Sequence, residues 1–338
     1  MKCSVAIATY NGEAYLQKQL DSLAAQSRPP DEVVISDDRS TDNTLQIAQE
    51  FQKKVLFNVV IHQNEEQKGF IQNFDKALSL TTGDLVFLCD QDDVWFKQKL
   101  ETVERYAIEH PAYSVFMNDA LLTDGDLNRT DLTLQQQIRS LGRPMQQFIT
   151  GCCTAVRRSH LERILPIPSD YPSHDGWIVN LADALEEKMV VSEVLQLYRR
   201  HGSNTSNSTH GQLKKMNRWI TIQTMFRRML TNGERQSLQH DQIKMNVLER
   251  RFQDLINKMN ERQAIRLKRM LDNKKSYMEF QKKRLEIRNQ PAHRRFRSIL
   301  HHYKNGDYKL ILGGKSALRD TLGSMKDHQL EGGASFEP

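Results

Sequence analysis

Short apolar segments alternate with amphipathic segments along the first half of the chain. Continuous apolar runs are typical of buried strands, and apolar residues at i, i+4 and i+7, as at Leu16, Leu20 and Leu23, are typical of a helix that packs on one face. The pattern predicts strands over 3–8, 32–36, 55–62 and 85–89, and helices over 14–25, 42–51 and 70–80. This alternation predicts an α/β fold, in which helices cover both faces of a mostly parallel sheet.

The pattern is weaker in the second half of the chain. It predicts strands over 113–117, 147–156 and 189–198, helices over 158–165 and 176–187, and an irregular connection that ends near 143. A polar stretch over 203–209 is typical of a linker, and apolar residues then recur at helical spacing from 211 to 289. We therefore expect an α/β domain over residues 1–205 and a basic, mainly helical region over residues 206–338.

The charge is distributed unevenly between these two parts. Residues 1–210 hold 20 Lys and Arg against 29 Asp and Glu, a net charge of −9, whereas residues 211–338 hold 28 against 13, a net charge of +15. A basic region of this kind indicates an anionic partner. Amphipathic segments over 216–230 and 248–259 and a cluster over 296–303 favour an anionic membrane surface, and the alternative is packing on the acidic half or on a second copy in a homodimer.

Hydropathy and cysteine content bear on the compartment. The mean hydropathy is −0.64, and no apolar stretch approaches the roughly 18 residues that a membrane-spanning helix needs. The first residues run into a polar turn without the small-residue cleavage site of a signal peptide. Four cysteines, of which Cys152 and Cys153 are adjacent, suit reduced core thiols. We expect a cytoplasmic enzyme with peripheral contact to the inner face of the cell membrane.

Polar residues follow three of the predicted strands. Because ligands bind beyond the carboxyl ends of parallel strands, we expect these residues to share one edge of the sheet. The three segments are Thr9-Tyr10-Asn11, Ser36-Asp37-Asp38 and Asp90-Gln91-Asp92-Asp93. A carboxylate such as Asp38 can accept hydrogen bonds from a nucleotide base or a ribose there, although an Asx turn that caps a helix explains the same residues.

The acidic cluster at Asp90, Asp92 and Asp93 is the sharpest of these features. Mutual repulsion makes such a cluster costly unless a cation neutralises it. Oxygen ligands suit Mg²⁺ or Mn²⁺, and either ion can bridge a diphosphate. The alternative is a solvated acidic turn that caps the next helix. We assign Asp92 and Asp90 as ligands of Mn²⁺ or Mg²⁺.

Two further segments carry candidate chemistry. Asp175 follows a Pro-rich loop, and as a general base it can take the proton of an attacking hydroxyl group; a helix-capping carboxylate beside a solvent-exposed His174 is the alternative. Arg199 and His201 end the last predicted strand, where a guanidinium group can hold phosphate and an imidazole can bind the metal. A surface turn explains the same two residues.

Together these residues resemble the family 2 glycosyltransferases over residues 1–205. The resemblance rests on Val5-Ala6-Ile7-Ala8-Thr9-Tyr10-Asn11-Gly12, on the segment from Glu32 to Thr44, and on Asp90-Gln91-Asp92-Asp93. It implies a GT-A fold, a base pocket at Thr9 and Tyr10, a base or ribose contact at Asp38, the metal-binding Asp-x-Asp motif at Asp90 and Asp92, and a catalytic base at Asp175. The residues that we assign to the nucleotide sugar are Thr9, Tyr10, Asn11, Asp38, Asn73, Asp90 and Arg199.

The motifs Phe87–Trp95, His174-Asp175-Gly176-Trp177 and Tyr198–Gly202 look most like the bacterial rhamnosyltransferase branch, from which Gly176 departs because that branch often has an aromatic residue there. The resemblance implies an inverting enzyme of surface polysaccharide synthesis. Its donor would be dTDP-rhamnose, and its acceptor would be a hydroxyl group of a glycan or a lipid-linked glycan.

Two alternative functions belong to other classes of protein. The strand Leu85–Cys89 followed by Asp-x-Asp resembles the phosphatases of the haloacid dehalogenase type, with Asp90 as nucleophile and Asp92 as acid, but that motif usually opens its fold. A non-enzymatic binder of nucleic acid or another anionic surface would use Arg294-Arg295-Phe296-Arg297. Because the basic charge is spread over helices with apolar faces, we expect no nucleic-acid partner.

Overall fold

A computed structural model describes residues 1–202, 213, 233–310, 316–317 and 320–321. The strands are β1 (Cys3–Thr9), β2 (Glu32–Asp37), β3 (Asn58–Gln63), β4 (Leu85–Asp90), β5 (Val94–Trp95), β6 (Val115–Thr123), β7 (Arg129–Thr133), β8 (Thr154–Arg157) and β9 (Lys188–Arg199). The helices are α1 (Leu16–Ala24), α2 (Thr44–Lys54), α3 (Phe70–Leu80), α4 (Lys99–Glu109), α5 (Leu134–Ser140), α6 (Arg158–Ile164), α7 (His174–Ala184), α8 (Gly233–Asn257), α9 (Glu261–Arg288) and α10 (Ala292–Lys304). The described residues therefore follow the expected order, an α/β part and then a helical part.

Within the described ranges the nine strands form a single sheet. Its order is β3-β2-β1-β4-β8-β6-β9-β5, and β7 pairs with β6. The strands from β1 to β4 pair in parallel, so that Thr9 lies level with Asp37 and Ala8 lies level with Asp90. Strand β8 runs antiparallel to both of its neighbours. The predicted parallel arrangement thus describes the first half of the sheet, where the polar strand ends meet at one edge.

The core explains why helices cover both faces of this sheet. Successive side chains of a strand point to opposite faces. Cys3, Val5 and Ile7 of β1 belong to one buried cluster with apolar residues of α1, α2 and α4. The intervening Ala6 is also buried, and α3 packs on β1 and β2 through buried residues that include Phe74 and Leu78. The predicted layers are confirmed.

The structure differs from the sequence pattern in two connections. The segment after 117 is ordered: β6 continues to Thr123, and Thr133 and Gln136 form a capping box that starts α5. The strand predicted over 147–156 is confirmed only at its end, because Gly151–Cys153 form a 3₁₀ turn and the strand β8 spans Thr154–Arg157. Both turn cysteines are buried free thiols, as are Cys3 and Cys89, so the predicted location of the cysteines in the core is confirmed.

The chain divides into two compact units. The first is Met1–Arg218 with Asp254–Gln263, and the second is Trp219–Gln253 with Ala264–Pro338. In the second unit Asp320 accepts hydrogen bonds from Arg284 and Arg288 at 2.7 Å each. The apolar core of that unit consists of Phe280, Ile287, Ile299, Tyr308 and Ala317.

The predicted helical region is confirmed by α8 and α9 from residue 233 onward. The predicted linker over 203–209 and the amphipathic segment over 216–230 lie outside the described residues. Of the helices that the structure describes, none combines the length and the hydropathy that a bilayer crossing requires.

Candidate functional site

The loop after β1 is tied to the loop after β2 by polar side chains. The buried Thr9 donates through Oγ1 to Oδ1 of Asp37 at 3.0 Å. Asn11 has a φ of 44°, a conformation that Asn adopts more readily than most residues, and its Oδ1 accepts a hydrogen bond from the backbone N–H of Thr41 at 2.8 Å. These bonds hold the two loops side by side at the carboxyl edge of the sheet.

Asp38 and Asn73 hold the next loop in place. Oδ1 of the buried Asp38 accepts from the backbone N–H of Lys68 at 2.8 Å, and Oδ2 accepts from the backbone N–H of Gly69 at 2.8 Å. Asn73 lies in α3 and donates through Nδ2 to the carbonyl oxygen of Thr9 at 3.1 Å. Asn64 donates to both side chains. The structure therefore brings Thr9, Asn11, Asp38 and Asn73 together, and the contacts it gives them stabilise the loops.

The backbone of Tyr10 is clamped by Gln91, a residue to which the sequence pattern assigned no role. The backbone N–H of Tyr10 donates to Oε1 of Gln91 at 2.9 Å, and Nε2 of Gln91 donates to the carbonyl oxygen of Tyr10 at 3.1 Å. A Cβ atom at Gly12 would lie 2.3 Å from the same Oε1, so a larger residue there would displace the Gln91 side chain from this contact. The clamp joins the end of β1 to the acidic cluster and leaves the Tyr10 side chain exposed.

The acidic cluster after β4 carries strongly perturbed carboxyl groups. Burial, followed by repulsion from Asp92, Asp93 and Asp175, raises the pKa of Asp90 well above its usual range. Burial, followed by repulsion from Asp92, raises the pKa of Asp93 to about 7. Asp175 of α7 contributes to this repulsion, and a Cβ atom at Gly151 would lie 3.6 Å from the Cβ atom of Asp175.

A buried polar network lies next to this cluster. The Sγ atom of Cys152 lies within 4.8 Å of a carboxylate oxygen of Asp90 and of Asp93, and burial raises the pKa of that thiol well above its usual range. Nζ of the buried Lys99 donates to the carbonyl oxygen of Cys152 at 2.8 Å and to Oε1 of Gln196. Gln196 in turn donates through Nε2 to Oδ2 of Asp93 at 2.9 Å. The network joins α4, β9 and the 3₁₀ turn to the acidic cluster.

The end of β9 reaches the acidic cluster through His201 and Arg199. Nε2 of His201 lies 2.8 Å from Oδ2 of Asp92, and the backbone N–H of Arg199 donates to Oδ1 of Asp93 at 3.1 Å. Tyr15 stacks on the His201 ring at 4.4 Å and lies 4.8 Å from the Arg199 guanidinium group. The structure thus brings both predicted residues to the cluster, and Tyr15 is an additional residue that positions them.

Asp175 lies in the first turn of α7, which Ser173 caps by accepting a hydrogen bond from the backbone N–H of Gly176 at 3.2 Å. The alternative of a solvent-exposed His174 is wrong, because this side chain is 7% exposed and its ring stacks on Phe74 at 3.9 Å. A Cβ atom at Gly151 would lie 2.9 Å from Nε2 of His174. The close approach of Gly151 and the aromatic stack explain why the imidazole is buried beside Asp175.

The donor atoms at this edge fit a divalent cation. Asp92 and His201 offer a carboxylate oxygen and an imidazole nitrogen that lie 2.8 Å apart. Among the described residues, Asp90, Asp93 and Cys152 also bring potential ligand atoms within 4.8 Å of one another. Burial raises the pKa of that thiol, which favours its protonated form, whereas a thiolate is the better metal ligand.

Comparisons with known proteins place this chain among glycosyltransferase sequences. Residues 4–165 match the family model described as Glycosyl transferase family 2. An uncharacterized glycosyltransferase of Nostoc sp. is 29% identical over 221 residues, which cover 62% of this chain and 67% of the relative. The dTDP-rhamnosyl transferase RfbG of Shigella flexneri is 38% identical over 100 residues, which cover 28% of this chain and 34% of the relative.

A solved structure is also similar. Residues 1–349 of Staphylococcus aureus TarS in complex with UDP align with a TM-score of 0.51 and 25% identity, over 59% of this chain and 61% of that one. The chain therefore spans between about one third and two thirds of the length of these relatives. The likeness confirms the predicted GT-A fold, and the phosphatase and non-enzymatic alternatives find no support.

Proposed function

We propose that this chain, which belongs to glycosyl transferase family 2, transfers a sugar from a nucleotide-diphosphate donor to a hydroxyl group with inversion at the anomeric carbon. The observation that carries the proposal is the position of Asp175 beside the 3₁₀ turn. A Cβ atom at Gly151 would lie 3.6 Å from the Cβ atom of Asp175, and Sγ of the adjacent Cys152 lies within 4.8 Å of carboxylate oxygens of Asp90 and Asp93. A base beside a diphosphate-binding edge has the arrangement that a single displacement requires.

The nucleotide is assigned to the edge formed by the loops after β1, β2 and β3. Thr9 and Asn11 join two of these loops, and Asp38 holds the third. The exposed Tyr10 offers a ring for stacking on a base. The similar TarS structure is a complex with UDP, which supports a nucleoside diphosphate here. Thr9, Asp38 and Asn73 then shape the pocket, and Arg199 interacts with the diphosphate.

In the proposed reaction, a carboxylate oxygen of Asp175 accepts the proton of the acceptor hydroxyl group while the hydroxyl oxygen attacks the anomeric carbon. The bond from that carbon to the diphosphate breaks, and the electron pair leaves with the nucleoside diphosphate. A Mn²⁺ or Mg²⁺ ion bound by Asp92, Asp90 and His201 would neutralise charge on the leaving group. Attack opposite the leaving group inverts the anomeric configuration.

The finer identity of donor and acceptor is part of the proposal. The 38% identity to a dTDP-rhamnosyl transferase over 100 residues supports dTDP-rhamnose as donor. We propose as acceptor a glycan or lipid-linked glycan in the synthesis of a surface polysaccharide, at the cytoplasmic face of the membrane.

The base assignment is tested with Asp175→Asn, which keeps the shape of the side chain but cannot accept the proton. We expect kcat to fall by about 10²-fold or more while the Kd of the nucleoside diphosphate stays within a factor of about two. Asp183→Asn is the matched control, because Asp183 lies in the same helix and pairs with Lys188 at 3.2 Å. Normal turnover of Asp175→Asn, or retention at the anomeric carbon by NMR, would exclude Asp175 as the base of an inverting reaction.

A further inference from the structure

Helix α10 presents an exposed apolar stripe. The exposed fractions are 61% for Phe296, 44% for Leu300 and 52% for Tyr303. These residues stand at i, i+4 and i+7, a spacing that places them on one face of a helix. The neighbouring Ile299 is 5% exposed and belongs to the core of the second unit. The helix is therefore anchored through Ile299 and leaves three large apolar side chains in contact with solvent.

Basic residues lie beside this stripe. The helix contains no Asp or Glu over its full range of Ala292–Lys304. At about 100° per residue, Arg297 and Lys304 follow the apolar stripe on one side of the helix, and Arg294 lies farther round. These three side chains are exposed. The surface thus combines aromatic and aliphatic residues with a strip of positive charge.

The other amphipathic segment within the described residues has a different environment. In α8 the apolar positions Leu248 and Leu255 are buried, at 2% and 0% exposure. They pack against protein and offer no apolar surface to a partner. Among the described helices of the basic region, α10 is the one with three large exposed apolar side chains on one face.

We propose that α10 binds the surface of an anionic lipid bilayer, with Phe296, Leu300 and Tyr303 inserted at the level of the headgroups and the Arg and Lys side chains paired with lipid phosphates. Interfacial helices are recognised by this combination of a basic polar face with aromatic and aliphatic residues. A second copy docked through the same stripe would place like charges against each other, which opposes association. Nucleic acid would leave the apolar stripe in water.

The proposal is tested with the full chain and vesicles made of phosphatidylcholine alone or mixed with phosphatidylglycerol. We expect the protein to sediment with the mixed vesicles at low salt, to be released at high salt, and to stay in solution with neutral vesicles. The double variant Phe296→Ser/Leu300→Ser should bind mixed vesicles at least about tenfold more weakly. Ile265→Ser is the matched control, because Ile265 is also exposed, at 54%, but lies in α9.

Three outcomes would overturn the proposal. They are equal recovery in the supernatant with and without anionic lipid, unchanged binding by a double variant that circular dichroism shows to be folded, and equal weakening by Ile265→Ser. If light scattering instead finds a dimer that the double variant disrupts, without vesicle binding, the stripe is a contact between copies. Asp175→Asn should bind vesicles like the unmodified chain, so failure of the catalytic proposal and failure of this one are distinguishable.

Discussion

Two acidic groups lie on the same edge of the sheet, and their surroundings differ. Asp37 and Asp38 lie at the carboxyl end of β2, and their carboxylate oxygens accept hydrogen bonds from hydroxyl, amide and backbone N–H groups of the adjoining loops. Asp90 and Asp93 belong to the group that follows β4, where burial and mutual repulsion raise the pKa of both carboxyl groups. The first group is compensated by neutral donors, whereas the second retains unfavourable charge.

The comparison distinguishes acidic residues that stabilise the loops of the site from acidic residues that are suited to bind a cation. Asp38 holds the residues before α3 through three hydrogen bonds, so its removal acts first on stability. Among the contacts of Asp92 is a 2.8 Å approach of the His201 imidazole, and the charge concentrated around it favours a bound cation. Substitution of Asp38 should therefore lower mainly the stability of the protein, and substitution of Asp92 should lower mainly its transfer activity.

The largest effect is expected for Asp92→Ala. We expect transfer to fall by about 10²-fold or more, because a diphosphate leaving group then lacks its neutralising cation. EDTA should abolish transfer by the unmodified chain, and Mn²⁺ should restore it. The Tm should change little, because Asp92 lies at the partly exposed edge. Activity assays and thermal unfolding measure the two quantities.

Asp131→Ala is the control for Asp92→Ala, since Asp131 is exposed on β7 and distant in sequence from the predicted ligands. Full transfer in EDTA, or an active Asp92→Ala enzyme, would show that the reaction needs no metal ion. The proposed difference in role between the two acidic groups would then be wrong.

An intermediate effect is expected for Asp38→Asn. In this variant an NH₂ group replaces one of the two carboxylate oxygens, so it faces an N–H donor that it cannot accept from. The loss of one buried hydrogen bond costs about 1–3 kcal/mol. In a chain of this size that corresponds to a decrease in Tm of roughly 2–10 °C. Calorimetry measures the change, and Glu65→Gln in the same loop, at an exposed position, is the control. A variant as stable as the unmodified chain would show that the three hydrogen bonds contribute no net stability.

The smallest effect concerns pH. Since the folded state raises the pKa of Asp93 from 3.8 to about 7, it binds a proton that the unfolded state releases. This contribution to stability is present below about pH 4 and is lost as the pH rises to about 7. In EDTA the Tm should therefore decrease by a few degrees over this interval. The decrease in Tm with pH should be smaller in Asp90→Asn, and it should also be smaller when Mn²⁺ is present. A Tm that rises over the same pH interval would contradict the raised pKa values.

The fold was predicted well where a segment had a clear period. The helix over Phe70–Leu80 has the predicted bounds, and β1, β2 and β4 each extend one residue beyond the prediction. The strand predicted over 147–156 began too early, because an apolar run does not distinguish a strand from a buried 3₁₀ turn. The capping box at Thr133 was a sequence signal for α5 that the weak apolar pattern concealed.

The candidate site was predicted where its residues follow strands, and it was incomplete where they do not. Gln91 stands inside the acidic motif, yet only its contact with Tyr10 shows its role as a clamp. Tyr15 and Cys152 carry no local signal at all, because their partners, His201 and Asp90, are distant in sequence. The roles of Asp175, Asp92 and His201 in catalysis and metal binding remain predictions for the experiments above.

The sequence by itself determined the order of strands and helices and the edge of the sheet at which Thr9, Asp38 and Asp90 lie, because apolar periodicity is local and parallel strands end on the same side. Tertiary structure alone decided that Asp175 approaches Asp90, that His174 is buried, and that Phe296 is exposed whereas Leu248 is not. Those outcomes depend on how distant segments pack, and the period of one segment contains no information about the surface that covers it.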